Sequence, residues 1–128
     1  MNPKGVVIRA SAYTVKETID RLVAFLEQHG ITLYARINQQ LEVKKAGFDI
    51  PELEFILFGN PKVGGAVMSE NPLAALDLPL KLISWEDKEH KVWIAFNEAV
   101  FIGERYSLSQ TVSATLDLNP FITKALST

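Results

Sequence analysis

The chain has 128 residues, of which 48% are hydrophobic and 22% charged, with a formal net charge of −2 and no cysteine. This length is that of one ordinary domain, and the missing cysteines exclude disulfides, thiolate catalysis and cysteine-ligated metal centres. The slightly acidic balance argues against nucleic acid as a partner. No apolar run approaches the ~18 residues of a membrane span, and the N-terminus lacks a signal-peptide pattern. We therefore expect one cytoplasmic domain over residues 1–128 that does not bind membranes.

The first predicted elements are a strand and a long helix. Residues 5–12 are rich in β-branched side chains and predict a strand. Residues 14–29 predict the clearest helix of the chain, because Thr14 and Glu17 have the spacing of a capping box. Gly30 then supplies the left-handed residue that commonly follows a helix end.

A second strand, a short helix and a third strand follow. Residues 31–37 alternate between apolar and polar side chains, which predicts a strand. Residues 38–46 predict a short helix that ends at Gly47. Residues 52–58 are apolar on both faces, which is typical of a central strand covered on both sides.

The second half of the chain predicts a hairpin and two short helices. The segments 78–87 and 91–99 are strand-like and are joined by a charged turn. Trp85 and Trp93 would then face each other as a cross-strand pair. Two helices follow, with Ser109 and Asn119 as their N-cap residues. The set of five strands and interspersed helices predicts an α+β fold, a single two-layer α/β domain with helices packed on a mixed sheet.

The stretch FILFGNPKVGGAV, residues 55–67, leads from a strand into a predicted helix. Asn60 followed by Pro61 is a strong helix start, because Asn caps free backbone N–H groups and Pro has none to lose. The alternative is that this helix start binds an anion with the help of Lys62. The Walker phosphate-binding pattern is not met, because Gly65 and Ala66 stand where Lys and Ser or Thr are required.

Two consecutive glycines inside a predicted helix need a reason, because each costs about 1 kcal/mol relative to alanine. Gly64 and Gly65 therefore indicate the close approach of another backbone, either within the chain or across a dimer.

Three segments, FGNPKVG, NPLAALDLPLKLISWED and KVWIAFN, resemble the bacterial family called domain of unknown function 302. The resemblance implies a compact two-layer α/β fold of the TT1751 type, often found as a homodimer, and no known activity. Many members carry an Asp-His pair after the second strand and an Arg-His pair later in the chain. Here the corresponding positions are Asn38-Gln39 and Arg105-Tyr106, so histidine chemistry at these sites is absent.

Few other side chains indicate chemistry. His29 and His90 are isolated in sequence, so we expect no metal site and no cofactor. Asp77 lies between apolar residues, where a partly buried acid can act in acid/base catalysis; the alternative is that it hydrogen-bonds a turn before Pro79.

Two main classes of function remain, beside a third in which the chain regulates a partner protein through an exposed sheet edge. The first is a small homodimeric domain that binds a small ligand, such as a small anion, or a partner protein without catalysis. The alternative is an enzyme whose acid/base site acts on a small anionic metabolite. The candidate ligand-binding residues are Asn60, Lys62, Asp77, Arg105 and Tyr106. In the enzyme alternative the acid/base site lies around Asp77, Lys62 and Arg105. An enzyme requires these groups to converge in one concave pocket.

Overall fold

The computed structural model describes residues 2–127 as five strands, six α-helices and one 3₁₀ helix. The strands are β1 (Val6–Ser11), β2 (Thr32–Asn38), β3 (Leu53–Gly59), β4 (Leu80–Glu86) and β5 (Val92–Asn97). The helices are α1 (Val15–Gln28), α2 (Gln39–Lys45), α3 (Pro61–Glu70), α4 (Ala99–Arg105), α5 (Gln110–Ala114) and α6 (Asn119–Ala125). The 3₁₀ helix covers Pro72–Asp77.

The five strands form one sheet in the order β1-β5-β4-β3-β2, and every neighbouring pair is antiparallel. The α+β, two-layer prediction is confirmed, whereas the predicted mixed sheet is wrong. The crossover helix α1 joins two strands that run in the same direction, but β1 and β2 lie at opposite edges of the sheet. Three strands separate them, so the crossover creates no parallel pair.

Local signals set the ends of several elements as predicted. The Thr14 hydroxyl accepts the Glu17 N–H at 3.1 Å, and Gly30 follows α1 with a φ of 67°. In the β4–β5 hairpin Trp85 and Trp93 are directly opposite each other. The Trp93 indole donates to the Asp87 carboxylate at 2.8 Å, and this bond, with backbone N–H groups, holds the pKa of Asp87 below its usual value.

The main core lies between α1, α6 and one face of the sheet. Ile19 and Leu22 of α1 and Ile122 of α6 pack there against Ile56 and Leu82, all five fully buried. The prediction that β3 is covered on both sides holds on this face. On the opposite face Phe55 is 7% exposed, but neither core of the described residues includes side chains of that face.

A smaller core joins α3, α4 and the 3₁₀ helix at one end of the sheet. It contains Val67, Ala74, Ile102, Tyr106 and Leu116. Sequence reasoning missed α4, because Val, Phe, Ile and Gly in residues 99–105 have low helix propensity. The helix forms because Ile102 and Tyr106, four residues apart, are 1% and 5% exposed in this core.

The cap of α6 differs from the prediction. Asn119 is the first residue of the helix and not its N-cap, which is Leu118. The Asp117 carboxylate accepts the Asn119 N–H at 3.0 Å and so supplies the bond that a capping side chain would have made. The prediction for Ser109 is confirmed, since its hydroxyl accepts the Val112 N–H at 3.2 Å.

Candidate functional site

Three of the five candidate residues meet in one cluster. The Tyr106 hydroxyl donates to Asp77 Oδ2, and Arg105 Nη1 reaches the same oxygen at 3.1 Å. Tyr106 is buried, Asp77 is largely shielded and Arg105 is half exposed. The bond to Asp77, together with burial, raises the pKa of Tyr106 above its ordinary value, so the phenol remains protonated and donates at neutral pH.

The 3₁₀ helix positions Asp77 for this contact. Residues three apart lie above one another in a 3₁₀ helix, so Ala74 and Asp77 share one side, with Ala74 buried in the smaller core. At the other end of the same helix, Asn71 Nδ2 donates to the Tyr106 backbone carbonyl at 2.9 Å. Tyr106 thus holds both ends of the 3₁₀ helix. Of the two sequence interpretations of Asp77, a hydrogen-bonding role is observed, but its partners lie on α4 and not in the turn before Pro79.

The other two candidates lie at the start of α3. Asn60 is the N-cap residue as predicted, and its Oδ1 accepts the Lys62 N–H at 2.9 Å. Within residues 2–127 the Lys62 side chain has no hydrogen bond or ion pair with the Asp77 cluster. The five candidates therefore form two groups and not a single site.

A cleft of about 440 Å³ opens beside the start of α3. The end of β3, the first turns of α3 and the segment before β4 form its walls, and Tyr34 of β2 also lines it. Apolar and small residues dominate the lining, which includes Phe58, Gly59, Pro61, Val63, Gly64, Gly65, Met68, Leu78, Pro79 and Leu80. The Leu78–Pro79 peptide bond in this wall is cis. Asn60 is the one candidate residue that lines the cleft.

The glycine pair of α3 faces open space. A Cβ placed on Gly65 would have no atom within 4 Å, and one placed on Gly64 would meet only the Met68 methyl group at 3.7 Å. The close backbone approach proposed from the sequence is thus absent within residues 2–127, which leaves the dimer alternative. Both glycines line the cleft, and they were the sequence signal that could have located it.

A larger groove of about 720 Å³ runs between α4, α5 and the start of α6. Glu98, Glu104 and Asp117 line it. Three carboxylates repel an anion, so this groove does not suit the expected ligand. Among residues 2–127 no group of three His, Asp or Glu side chains is arranged to hold a metal ion.

These features define the class of protein as a two-layer α+β domain on a five-stranded antiparallel sheet. A family model described as "Domain of unknown function DUF302" matches residues 7–125. The chain belongs to the DUF302 family, as the sequence resemblance indicated.

A solved structure and curated sequences are similar to this chain. The crystal structure of an uncharacterized conserved DUF302 protein from Bacillus stearothermophilus has a TM-score of 0.80 over 97% of both chains, at 18% identity. That likeness shows the fold alone.

The curated relatives are longer proteins. "Fluoride-specific ion channel FluC 1" of Brucella suis biovar 1 is 36% identical over 104 residues, which cover 81% of this chain and 41% of that protein. "Fluoride-specific ion channel FluC 2" of Brucella melitensis biotype 1 has the same identity, over 38% of its length. The chain thus spans about two fifths of these relatives. Among residues 2–127 none of the helices is long and apolar enough to cross a membrane.

Proposed function

We propose that this protein is a small cytoplasmic homodimer that binds a small anionic ligand with an apolar body, without catalysis. The observation that carries the proposal is the cleft of about 440 Å³ beside α3. Small-molecule sites are concave and mostly apolar, with a few polar groups that orient the ligand. This cleft has that composition, and Gly59, Gly64 and Gly65 leave room within it.

The start of α3 supports an anionic group on the ligand. Asn60 and Pro61 line the cleft at the N-terminal end of the helix, where the helix dipole is positive. Lys62 is exposed on the same turn and adds a full positive charge. The apolar body of the ligand would then lie along Val63, Met68 and the cis-Pro79 wall.

The enzyme alternative is favoured by the meeting of Asp77, Arg105 and Tyr106. Two features support binding over catalysis. The Asp77 carboxylate already serves two donors, and the raised pKa of Tyr106 makes the phenol a weaker acid. None of these three residues lines either cavity described above. We assign the cluster to holding the 3₁₀ helix on α4.

Fluoride conduction, the activity in the names of the curated relatives, is left outside the proposed function. The matched segment is 41% of the Brucella suis protein and 38% of the Brucella melitensis protein. The homodimer is supported by what the family resemblance implies, and the cytoplasmic location by the absence of cysteine.

Native mass spectrometry of the freshly purified protein tests the binding proposal. We expect wild type to carry a discrete extra mass, and we expect Gly65→Leu to lose it. The Leu side chain would enter the open space of the cleft, while the helix itself gains about 0.8 kcal/mol in propensity over glycine. Because a Cβ at this position meets no atom within 4 Å, we expect the variant to fold, and loss of the ligand then reports on the cleft.

Ala66→Leu is the matched control, because residue 66 is exposed on the same helix and does not line the cleft. It should retain the extra mass. A bare wild-type protein, or a Gly65→Leu variant that keeps the mass, contradicts the proposed site.

A further inference from the structure

One face of the sheet is apolar across all five strands. Ile8, Ala95, Ile83, Phe55 and Ile37 are consecutive partners across the sheet and so form a single row. Side chains alternate along each strand, so this row lies on the face opposite to Ile56 and Leu82 of the main core. Trp85 and Trp93 lie next to the row on the same face. We call this surface the open sheet face.

No layer of the described chain packs on the open sheet face as α1 packs on the other side. Among residues 2–127 neither hydrophobic core includes any of its side chains. Phe55 and Ala95 are 7% exposed, whereas Ile8, Ile37, Ile83, Trp85 and Trp93 are only half buried, although three of these five lie on strands with a neighbour on both sides. An antiparallel sheet with a solvated face normally alternates apolar and polar residues, so this face is unusual for one exposed to water.

The open sheet face carries very little charge. Within the strand residues that the structure describes, Lys81 is its single charged side chain. Its ammonium group lies 4.1 Å from the centre of the Phe55 ring, so even this residue covers apolar surface. A contiguous apolar surface of this kind marks an interaction site.

We propose that the open sheet face is the surface through which two copies of this chain associate, an inference that rests on the proposed homodimer. Five strands about 4.8 Å apart and six residues long at about 3.3 Å each give a flat footprint of roughly 480 Å². A dimer would therefore bury about 1,000 Å² of the two copies together, counted as flat surface without the added area of the side chains. This area reaches the lower limit for a specific interface.

The shape of the face favours a second copy as the occupant. Two apolar sheets stack face to face about 10 Å apart, and a face whose one charged side chain among the described strand residues is Lys81 meets its own copy with little repulsion. Large and small side chains alternate on it, since Ala95 and Ala10 adjoin Ile83 and Trp93. Such relief lets the side chains of two sheets interdigitate.

Tryptophan fluorescence and sedimentation velocity together test this surface. Both tryptophans of the chain lie on the open sheet face, so all tryptophan emission reports on it. We expect wild type to sediment at twice the chain mass at micromolar concentration. On dilution to monomer, its emission should move to longer wavelength as the indoles become exposed to water.

Ile83→Lys places a charge near the middle of the face and should raise the dissociation constant by about 100-fold or more, because two unpaired ammonium groups would be buried. Ile8→Lys on the edge strand β1 repeats the test where a charge is easier to accommodate in the monomer. Leu76→Lys is the matched control, since Leu76 is 75% exposed on the 3₁₀ helix. Circular dichroism confirms that each variant is folded.

The outcomes separate the two proposals. A wild-type monomer at all concentrations overturns the homodimer and this surface with it. If wild type is a dimer and folded Ile83→Lys and Ile8→Lys are dimers as well, the homodimer is supported and this surface is overturned. The same holds if wild type dissociates on dilution without a change in its tryptophan emission. A dimer lost in both variants and kept in Leu76→Lys supports the surface.

Discussion

Replacing Tyr106 with phenylalanine removes one hydroxyl between the 3₁₀ helix and α4. Tyr106 is 5% exposed and donates to Asp77, so the lost hydrogen bond is shielded from water. A hydrogen bond to a charged group contributes about 1.5–3 kcal/mol. Arg105 remains 3.1 Å from the same carboxylate and partly compensates it. We therefore expect the free energy of unfolding to fall by about 2 kcal/mol.

Thermal unfolding followed by circular dichroism measures this loss. An unfolding entropy of about 2.1 cal/mol/K per residue gives about 270 cal/mol/K for the chain, so the Tm should fall by about 7 °C. Tyr34→Phe is the matched control, because Tyr34 is 54% exposed. Its hydroxyl should contribute less than about 0.5 kcal/mol.

The pH dependence gives an independent check of the same bond. The pKa of Tyr106 is raised in the folded protein. The contribution of the bond is therefore fully present below the unfolded tyrosine pKa of about 10 and is lost as the pH rises through the folded value. The stability difference between wild type and Tyr106→Phe should shrink above pH ~10. If the Tm of Tyr106→Phe lies within about 2 °C of the wild-type Tm, or if the stability difference between the two proteins is independent of pH, the Tyr106–Asp77 hydrogen bond does not stabilise the fold as proposed.

Two further changes test the packing of α4 and the acid sensitivity of α1. Gly103→Ala would place a methyl group on the Ser113 hydroxyl and 2.9 Å from Ser113 Cβ, so denaturant unfolding should show a loss of about 1–3 kcal/mol. Adding Ser113→Gly should restore most of it, and an undiminished loss would contradict the clash. The hydrogen bonds from Lys16 and Arg36 hold the pKa of Asp20 below 3.8. The stabilisation from these hydrogen bonds is present above pH 3.8 and is lost as the pH falls through the folded pKa of Asp20. The free energy of unfolding of Asp20→Asn should therefore decrease less steeply with acidification than that of wild type, and an equal decrease contradicts the prediction.

Signals within a few residues predicted much of the fold. The Thr14–Glu17 cap, Gly30 after α1 and the Asn60 cap of α3 depend on backbone groups at most three residues away. Neighbouring tertiary structure changes such bonds little, so they can be recognised in a sequence. The helix α4 could not, because its propensity is low and only burial of Ile102 and Tyr106 makes it stable.

The candidate site was predicted only in part, because its residues could be selected one by one from the sequence but their contacts could not. Asp77, Arg105 and Tyr106 were each selected from the sequence, but nothing local joins residues that lie 28 and 29 positions apart. Lys62 was selected with them and lies elsewhere. The sequence analysis interpreted Gly64 and Gly65 as the close approach of another backbone. Only the fold shows that they line a cleft, together with Tyr34 of a distant strand.

The sequence by itself determined the five strands, the helices other than α4 and the 3₁₀ helix, the caps of α1, α3 and α5, the β4–β5 hairpin and the family, because these depend on periodicity and on contacts between near neighbours. Only the tertiary structure decided that β1 and β2 occupy opposite edges, which makes the sheet antiparallel throughout. It also decided which alternate residues face α1 and which form the open sheet face. The reason is that the alternation of side chains along a strand divides its residues between two faces. Which of the two faces a helix covers depends on contacts between residues far apart in the chain.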